Sequence, residues 1–304
     1  MPKLLFIGST VADVVVRIPF LPRTGQDLHV SSQSVSLGGC AYNAFHAAHL
    51  TGLCDCTLLS PEGTGVWGDW VRAALDARGI ATAIPPVDAP NGCCYCMVEE
   101  TTGERTFLSH HGAEYRFRRE WIEAADPTQY DGVYLCGLEV EEVTGGEILD
   151  ALEALPPPRL YFAPGPRINR LTSEQLGRIH RLHPVYHLNA EEALTFTGAA
   201  TVADAAAIIR SLSHNDVVIT LGAEGAYALC DDFAGTVAGF PAEVVDTIGA
   251  GDAHIGAVMA ARAAGYAMPD ALRLANRMSA AVVGHTGAEL PRSVYESKVK
   301  EALL

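Results

Sequence analysis

Positive charge is scarce in this sequence of 304 residues, which has 21 Lys and Arg against 36 Asp and Glu and a formal net charge of −15. Nucleic-acid phosphates require basic patches, so this balance argues against a nucleic-acid partner. Long apolar runs are also missing, and none approaches the roughly 20 residues of a membrane-spanning helix. The apolar run Leu4–Gly8 is too short and too early for a secretory signal. We therefore expect a cytoplasmic protein without a membrane partner.

Motifs of several other enzyme classes are absent too. The sequence contains no G-x-x-x-x-G-K-[ST] phosphate loop, no G-x-S-x-G nucleophile elbow and no H-E-x-x-H zinc motif. Its eight cysteines lack the paired C-x-x-C spacing of structural zinc sites. Cys93, Cys94 and Cys96 cannot all face one side of a strand. We predict reduced, buried thiols, as is usual in the cytoplasm.

What is present is an alternation of short apolar strands and helical patterns along the chain. Such alternation predicts a mostly parallel sheet with helices on both faces and ligands beyond the carboxyl ends of the strands. The predicted strands are Lys3–Ser9, Thr57–Leu59, Val133–Leu135, Leu160–Phe162, Val185–Leu188 and Asp216–Leu221. The predicted helices are Ala41–Leu50, Trp67–Ala77, Thr144–Leu155, Thr172–His183, Ala203–Leu212, Ala253–Ala264 and Pro269–Val283.

Two segments depart from this alternation. Leu28–Leu37 and Cys93–His110 alternate polar and apolar residues, as half-exposed antiparallel strands do. We predict that they form a small β lid beside the main sheet. No repeat, low-complexity tract or domain linker is apparent, so residues 1–304 are expected to form one domain.

The most informative segment is Asp246–Asp252, with the sequence Asp-Thr-Ile-Gly-Ala-Gly-Asp before a helical run. The glycines of Gly249-Ala250-Gly251 allow positive φ and close approach to a ligand. A helix N-terminus directs free N–H groups and the positive end of its dipole at an anion. Asp252 beside such a site is suited to accept a proton. Two interpretations remain open: phosphoryl transfer with a carboxylate base, or a glycine-rich loop with an Asp helix cap.

Two motifs in the first part of the chain could bind hydroxyl groups. Gly38 and Gly39 would let a polyol approach the backbone, and Asn43 in the following helix could both donate and accept hydrogen bonds. Asp13, which follows the first predicted strand, could accept from two hydroxyls because an ionised carboxylate accepts without donating. The alternatives are a tight turn with a helix-start Asn, and a turn-capping Asp.

Two further motifs follow predicted strands. Asn189 and Glu192 have the spacing of a capping box, and they could instead form a magnesium–water or phosphate site. Thr220, Gly222 and Gly225 end the strand Asp216–Leu221. They could lie under a nucleotide or form a plain hairpin turn.

A further glycine motif resembles a dinucleotide-binding fingerprint. Gly63-Thr64-Gly65-Val66-Trp67-Gly68 matches G-x-G-x-x-G, with Asp88 further along the chain. Glu62 puts negative charge where a pyrophosphate would bind, and Asp88 lies among prolines rather than at a strand end. The motif therefore gives little support to an NAD-linked dehydrogenase.

The order of these motifs resembles the ribokinase-like carbohydrate kinases, also called the PfkB family. The resemblance extends from Gly8 to Gly287, its most specific part is Asp246–Asp252, and its pattern is most similar to a bacterial branch known only as sugar kinases. It implies a three-layer α/β fold, with a mostly parallel central sheet flanked by helices and a small β lid. It also implies ATP-dependent phosphorylation of a sugar, sugar phosphate or nucleoside hydroxyl. The implied cofactors are ATP and Mg²⁺, with a monovalent cation, K⁺, near Asp246.

The resemblance assigns a role to each motif. Asp252 resembles the catalytic base, Gly249, Ala250 and Gly251 the anion hole, and Glu192 the magnesium site. The implied nucleotide contacts are Asn189, Thr220, Gly222, Gly225 and Asn276. The substrate side comprises Asp13, Gly38, Gly39, Asn43, Glu139 and Arg167.

Two departures from the family pattern bear on the substrate. His254 stands where the family often has Phe, and Ala163 where Asp is common before the Pro-Gly-Pro-Arg segment. Few basic residues occur in the substrate half, which favours a neutral sugar or nucleoside over a sugar phosphate. Arg167 could nevertheless meet an acidic substrate, so a nucleoside kinase and a keto-sugar-acid kinase stay open. A non-catalytic sugar sensor is less favoured because Asp252 and its turn are intact.

The lid also predicts an oligomeric state. Cys94, Cys96 and Val98 would form one apolar face of a lid strand. A small sheet that stands off the main sheet exposes apolar area and unpaired edges, which a two-fold-related copy could bury. The resemblance points the same way, so we expect a homodimer through the lid.

Overall fold

The computed structural model describes residues 1–300, and strands and helices alternate along most of them. The strands are β1 (Lys3–Ile7), β2 (Val11–Ile18), β3 (Ser32–Gly38), β4 (Asp55–Leu59), β5 (Cys93–Glu99), β6 (Arg105–His110), β7 (Gly132–Cys136), β8 (Leu160–Ala163), β9 (Val185–Asn189), β10 (Val217–Thr220), β11 (Gly225–Leu229) and β12 (Ala234–Ala238). The α-helices are α1 (Cys40–Thr51), α2 (Gly65–Asp76), α3 (Arg119–Ala125), α4 (Gly137–Glu141), α5 (Gly145–Ala154), α6 (Ser173–Arg181), α7 (Ala190–Thr197), α8 (Val202–Ser213), α9 (Ala250–Ala263), α10 (Met268–Val283) and α11 (Arg292–Tyr295).

Eight strands form the main sheet, in the order β12-β11-β10-β9-β8-β7-β1-β4. The strands from β10 to β4 are parallel, whereas β11 and β12 add an antiparallel edge. The predicted mostly parallel sheet is therefore confirmed. Because parallel strands end at the same edge, Glu139 after β7, Asn189 in β9 and Thr220 in β10 lie at one edge.

Strand β1 illustrates why the sheet is covered on both faces. Leu4 and Phe6 are fully buried in a cluster with residues of α1 and α9, whereas Leu5 and Ile7 are fully buried in a second cluster with residues of α5. Successive side chains of a strand point to opposite faces, so a strand buried on both sides reads as a continuous apolar run. Each such side chain contributes about 1.5–3 kcal/mol by leaving water.

The lid is a separate four-stranded sheet in the order β3-β2-β5-β6. The prediction for Cys93–His110 is confirmed by the antiparallel pair β5 and β6. The predicted strand Leu28–Leu37 begins later, because β3 starts at Ser32.

Strand β2 was not predicted, and it changes the position of Asp13. The sequence pattern predicts Asp13 at the end of the first strand, but Asp13 lies within β2, paired with Ser36 of β3 and Cys94 of β5. Strand β2 lies between β3 and β5 in the lid sheet, and most of its residues on both faces are buried or partly buried. Its sequence Val11–Ile18 therefore lacks the regular alternation of apolar and polar residues that marks a half-exposed strand.

The helices were compared with the length and hydrophobicity that a membrane-spanning helix needs. Within residues 1–300, no single helix is long and apolar enough to cross a bilayer. Helices α7 and α8 reach that length and composition only together, and they are bent by 65° at their junction.

Candidate active site

The turn at Gly249 starts helix α9. Gly249 has φ 73°, a left-handed conformation that glycine adopts without steric cost, and it is the N-cap of the helix. Helix α9 therefore begins at Ala250 rather than at the predicted Ala253. Gly251 and Asp252 lie in its first turn, where backbone N–H groups have no partner within the helix. This geometry suits an anion.

Asp252 is held by a residue from helix α1. Asn43 Nδ2 donates to Asp252 Oδ2 over 2.9 Å. Burial raises the pKa of Asp252 to about 6, while the hydrogen bonds from Asn43 and Cys40 lower it. A carboxylate with this pKa is largely ionised at neutral pH and is still basic enough to take up a proton.

Asp13 lies close to Asp252 although the two are far apart in sequence. Burial and, secondarily, the charge of Asp252 raise the pKa of Asp13 to about 7. Gly38 makes room for this carboxylate, since an ideal Cβ on Gly38 would lie 1.9 Å from Asp13 Oδ2. Gly39 has φ 98°, and its Cβ would lie 2.4 Å from the carbonyl oxygen of Ser9. The glycine pair thus lets the lid strands approach the end of β1.

Glu139 follows β7 and is 1% exposed. Its Oε1 accepts hydrogen bonds from the backbone N–H and the hydroxyl of Ser9, both over 3.0 Å, while Oε2 is buried without a partner. Burial raises the pKa of this carboxyl group. A buried acceptor without a partner is unusual, because buried polar atoms are normally hydrogen-bonded.

Arg167 has a partner within the protein. Arg167 Nη1 lies 2.9 Å from Glu141 Oε2, and Arg170 approaches the same carboxylate at 3.6 Å. The charge of Arg167 is therefore balanced by Glu141, which weakens the expectation that it meets an acidic substrate.

Two cavities meet at the turn before α9. The first encloses about 930 Å³ and is lined by Asn189, Glu192, Gly249, Gly251 and Asp252. The turn between lid strands β5 and β6, called the lid turn, contributes Thr102, Gly103 and Glu104 to the same cavity. The second encloses about 620 Å³ and is lined by all four remaining predicted nucleotide contacts, Thr220, Gly222, Gly225 and Asn276. Ala250 lines the second cavity, and Gly251 lines both.

The edge hairpin forms one wall of the second cavity. Thr220 ends β10, and Gly222 begins a short 3₁₀ turn that leads into the antiparallel strand β11. An ideal Cβ on Gly225 would lie 2.1 Å from the carbonyl oxygen of Val237. The hairpin reading of this motif is therefore correct, and the same hairpin also borders the cavity.

Asn276 has little spare hydrogen-bonding capacity. Its Oδ1 lies 3.0 Å from His254 Nε2, and its Nδ2 donates to the carbonyl oxygens of Val237 and Ala238 over 3.0 and 3.1 Å. Asn276 thus ties helix α10 to strand β12. Its role as a nucleotide contact stays a prediction.

A buried histidine pair was missed by the sequence analysis. His187 Nε2 lies 2.9 Å from His254 Nδ1. Burial lowers the pKa of His254 to about 4 and also lowers that of His187, so both rings are neutral near pH 7. Histidine at position 254 was noted as a departure from the family pattern, but nothing in the sequence indicated its partner.

Asn189 and Glu192 form a capping box at the start of α7. Asn189 Oδ1 accepts from the Glu192 N–H over 2.8 Å, and Glu192 Oε2 accepts from the Asn189 N–H over 3.0 Å. The structural interpretation of this motif is thus correct. Because the box uses a single carboxylate oxygen, Glu192 can still present Oε1 to the first cavity.

The donor set at this edge fits magnesium better than a metal caged by side chains. Within residues 1–300, no three His, Cys, Asp or Glu side chains converge as a metal-binding group. Mg²⁺ usually keeps several waters and is bound by one or two carboxylates plus substrate phosphates. Glu192, whose pKa is raised by burial, is a carboxylate that lines the same cavity as the turn before α9.

Gly63 and Gly68 of the G-x-G-x-x-G segment lie where a side chain would meet the backbone. An ideal Cβ on Gly63 would lie 2.2 Å from the carbonyl oxygen of Ala89, and one on Gly68 would lie 2.4 Å from that of Gly63. Glu62 is buried and accepts a hydrogen bond from the Thr82 hydroxyl over 3.1 Å. These glycines allow close backbone contacts.

Comparison with known proteins identifies the family of this chain. A model of the pfkB family carbohydrate kinases matches residues 1–294. The uncharacterised sugar kinase YegV of Escherichia coli (strain K12) is 32% identical over 291 residues, covering 94% of this chain and 90% of YegV. The 1-phosphofructokinase of Haloferax volcanii is 30% identical over 235 residues, covering 75% and 73%.

Solved structures extend the comparison to the fold. The ribokinase of Thermotoga maritima superposes with a TM-score of 0.83 at 21% identity, covering 99% of this chain and all of that one. The expected ribokinase-like architecture is therefore confirmed. Because the family model matches nearly the whole sequence, this chain belongs to the pfkB family of carbohydrate kinases.

Proposed function

We propose that this protein transfers the γ-phosphoryl group of ATP to a hydroxyl group of a neutral sugar or sugar-like molecule, with Asp252 as the general base. The observation that carries the proposal is the position of the turn before α9. Gly251 borders both cavities, and Asp252 faces the cavity that lies under the lid. ATP in one cavity and the acceptor in the other would meet at this turn.

The residues of the turn account for the chemistry. The acceptor oxygen forms a bond to the γ-phosphorus while the bond from phosphorus to the ADP oxygen breaks, and the hydroxyl proton moves to the Asp252 carboxylate. Free N–H groups at the start of α9 hold the equatorial oxygens, which carry the charge in the transition state. Asn43 fixes the orientation of Asp252 by donating to Oδ2.

Magnesium would be held through Glu192 and Asn189. Its chemistry is to neutralise charge on the phosphate oxygens. Glu192 would contribute through Oε1 and bound water, because Oε2 belongs to the capping box. Asn189 fixes the start of α7 by accepting from the Glu192 N–H.

The charges around the acceptor favour an uncharged substrate. Asp13 and Glu139 are acceptors suited to hydroxyl groups, and both have raised pKa values because they are buried. The nearby cations are already paired: Arg167 with Glu141 and Arg105 with Asp246. A carboxylate or phosphate on the acceptor would meet negative charge without a free partner. A neutral sugar or a nucleoside meets no such penalty.

An ADP-release assay over neutral sugars, nucleosides, keto-sugar acids and sugar phosphates tests the proposal. We expect release with a neutral polyol and none with the acidic compounds, and Asp252→Asn serves as the control for contaminating kinases. Turnover of a sugar acid or sugar phosphate in preference to every neutral compound would overturn the substrate class. A protein that binds ATP but releases no ADP with any acceptor would support the sensor alternative. A melting temperature raised by NAD and not by ATP would support a dehydrogenase.

We further propose that the lid forms a homodimer interface. Tyr95 and Leu108 face each other in the lid register and are 42% and 57% exposed. Strands β3 and β6 are the edges of the lid sheet, so their outer backbone groups are available for pairing. Light scattering should give twice the monomer mass, and Leu108→Glu should shift it toward the 32.2 kDa monomer. A wild-type monomer, with and without substrate, would rule out the dimer.

A further inference from the structure

One ion pair connects the lid to the catalytic turn, Asp246–Asp252, which leads into α9. Arg105, the first residue of β6, places Nη2 2.9 Å from Asp246 Oδ1, and its Nη1 donates to Thr247 Oγ1 over 3.4 Å. The two charged side chains are 18% and 9% exposed, so the pair is largely shielded from water. Within the described part of the chain, no other ion pair joins a lid strand to the rest of the molecule.

Asp246 also binds two backbone segments. Its Oδ1 accepts from the Ile248 N–H over 2.8 Å, and its Oδ2 accepts from the Gly287 N–H over 3.0 Å. Ile248 immediately precedes Gly249, and Gly287 lies beyond the end of α10. The Asp246 carboxylate therefore joins three parts of the molecule: the lid, the catalytic turn and the segment after α10.

These contacts do not fit a monovalent cation at the same carboxylate. The family resemblance implies K⁺ near Asp246, but both carboxylate oxygens already accept hydrogen bonds. The guanidinium group of Arg105 also supplies a full positive charge, because an arginine stays protonated in proteins. A cation at Asp246 Oδ1 would compete with this guanidinium group for the same charge.

We propose that Arg105 replaces the monovalent cation at Asp246, so that the order of the catalytic turn depends on the position of the lid and not on K⁺. Arg105 would thus be a positioning residue, which acts on the anion-binding turn through Asp246. The inference rests on the proposed function, since it assumes that this turn holds the transferring phosphoryl group.

The location of Arg105 gives the ion pair a consequence for catalysis. Arg105 can neutralise Asp246 only while the lid lies over the first cavity, which the lid turn helps to line. With the lid open, Asp246 would lose its ion-pair partner and keep only its hydrogen bonds from Ile248 and Gly287. An acceptor bound under the lid would further stabilise the pair of Arg105 and Asp246 and with it the anion site, which couples acceptor binding to phosphoryl transfer and protects ATP from water.

Nucleotide binding without any acceptor tests this inference. The probe is the non-hydrolysable β,γ-imido analogue of ATP with Mg²⁺, titrated by calorimetry in KCl and in tetramethylammonium chloride at equal ionic strength. We expect the wild-type dissociation constant to be the same in both salts. Arg105→Gln should weaken binding on the order of tenfold in tetramethylammonium, which is within the usual range of coupling between sites. K⁺ should recover part of that loss.

Matched variants separate a positioning role from a general loss of structure. Arg105→Lys keeps the charge and should bind the analogue nearly as well as the wild type. Guanidinium ion should improve binding to Arg105→Ala, because it can occupy the space left beside Asp246. Arg17→Gln removes another positive charge from the lid at an exposed position and should have no effect. Melting temperatures would identify a variant that fails to fold.

Three outcomes would overturn the inference. One is a wild-type protein whose affinity for the analogue rises strongly with K⁺. Another is Arg105→Gln with wild-type affinity in both salts. The third is a loss that K⁺ does not reduce in Arg105→Gln and guanidinium does not reduce in Arg105→Ala, which would make Arg105 a direct phosphate ligand. Because no acceptor is present, these outcomes are distinct from a failure of the kinase proposal, which the ADP-release assay tests.

Discussion

Two helices begin at glycine-rich turns, α2 after Gly63 and α9 after Gly249, and Gly63 and Gly68 differ from Gly251 in what surrounds them. Cβ atoms on Gly63 and Gly68 would meet backbone oxygens at 2.2 and 2.4 Å, so that turn is packed against its neighbours. Gly251, by contrast, has no atom within 4 Å of its Cβ position and borders two cavities. Glycine spacing alone therefore does not distinguish close packing from an opening for a ligand.

The acidic residues beside the two turns differ in the same way. Glu62 is buried and accepts a hydrogen bond from Thr82, whereas Asp252 lines a cavity and accepts from Asn43. Burial raises the pKa of both carboxyl groups. A raised pKa is thus shared by a structural and a proposed catalytic acid, and access to a ligand is what separates them.

The largest effect is expected at the open turn from Asp252→Asn. The amide keeps the shape of the side chain and removes the proton acceptor, so kcat should fall by about 10²–10⁴. Binding of ATP, measured by calorimetry, should change little. Glu62→Gln at the packed turn is the matched control and should keep kcat near the wild-type value. Near-full kcat in Asp252→Asn would contradict the role of this residue as the base.

A pair of Gly→Ala substitutions makes the comparison directly. Gly68→Ala places a methyl group against a backbone oxygen and should destabilise the protein by about 1–3 kcal/mol, as overpacking does. Gly251→Ala meets no atom and should leave stability unchanged or raise it by up to about 1 kcal/mol, since alanine favours a helix. Its methyl group should nevertheless obstruct the anion site and lower kcat/KM.

Denaturant unfolding and steady-state kinetics on both variants give the answer. We expect a loss of kcat/KM in Gly251→Ala that is smaller than the roughly 10²–10³-fold cost of losing one oxyanion donor. An active Gly251→Ala and a fully stable Gly68→Ala would together refute the distinction between an open and a packed turn.

The pH dependence should also separate the two acids. With a pKa of about 6, Asp252 is active when deprotonated, so kcat/KM should rise with pH and level off above about pH 6. The hydrogen bond from Asn43 lowers this pKa, so Asn43→Ala should move the limb to higher pH, whereas Glu62→Gln should leave it in place. A limb that stays unchanged in Asn43→Ala would remove Asp252 from the titration.

The contribution of Asp252 to folding stability should fall as the pH rises, whereas kcat/KM should rise. Because the folded-state pKa of Asp252 lies above its unfolded value, the folded protein holds this proton more tightly. That contribution is complete below about pH 4 and is lost as the pH rises through about 6. Asp252→Asn should therefore raise the melting temperature at pH 8 relative to the wild type. The same substitution that removes activity is expected to stabilise the fold.

Six of the eight strands of the main sheet, β1, β4 and β7 to β10, could be predicted because their apolar runs are short and continuous, whereas the antiparallel edge strands β11 and β12 were not among the predicted strands. The start of α9 was predicted three residues late, since Gly249 and Gly251 resemble a loop until the left-handed conformation of Gly249 is known. Strand β2 was missed because its run of valines follows β1 almost directly, with a change of sheet at Gly8–Thr10. Local sequence carries no signal for such a change.

Contacts between distant segments lay outside what the sequence could indicate. The pair of Arg105 and Asp246 joins the lid to a turn about half the chain away, and His187 of strand β9 meets His254 of helix α9. A single sequence gives the chemistry of each residue but not its partner. Asn43 illustrates this limit, because the predicted substrate contact also holds the carboxylate of Asp252.

The smallest effect is expected at another pair of helix starts, those of α6 and α7. Both have capping boxes, with Gln175 reaching back to Thr172 in α6 and Glu192 to Asn189 in α7. Glu192→Gln should therefore keep the box of α7 intact, as glutamine already does in α6, and the melting temperature should be unchanged. If Glu192 also helps to hold Mg²⁺, the loss of one negative charge should raise the Mg²⁺ concentration needed for half-maximal activity by a few-fold and lower kcat. Gln175→Glu, the reciprocal change away from the cavities, should leave the Mg²⁺ requirement and kcat unchanged, although it removes the hydrogen bond that Gln175 Nε2 donates to the Val140 carbonyl oxygen. An unchanged Mg²⁺ requirement in Glu192→Gln would leave this residue with its capping role alone.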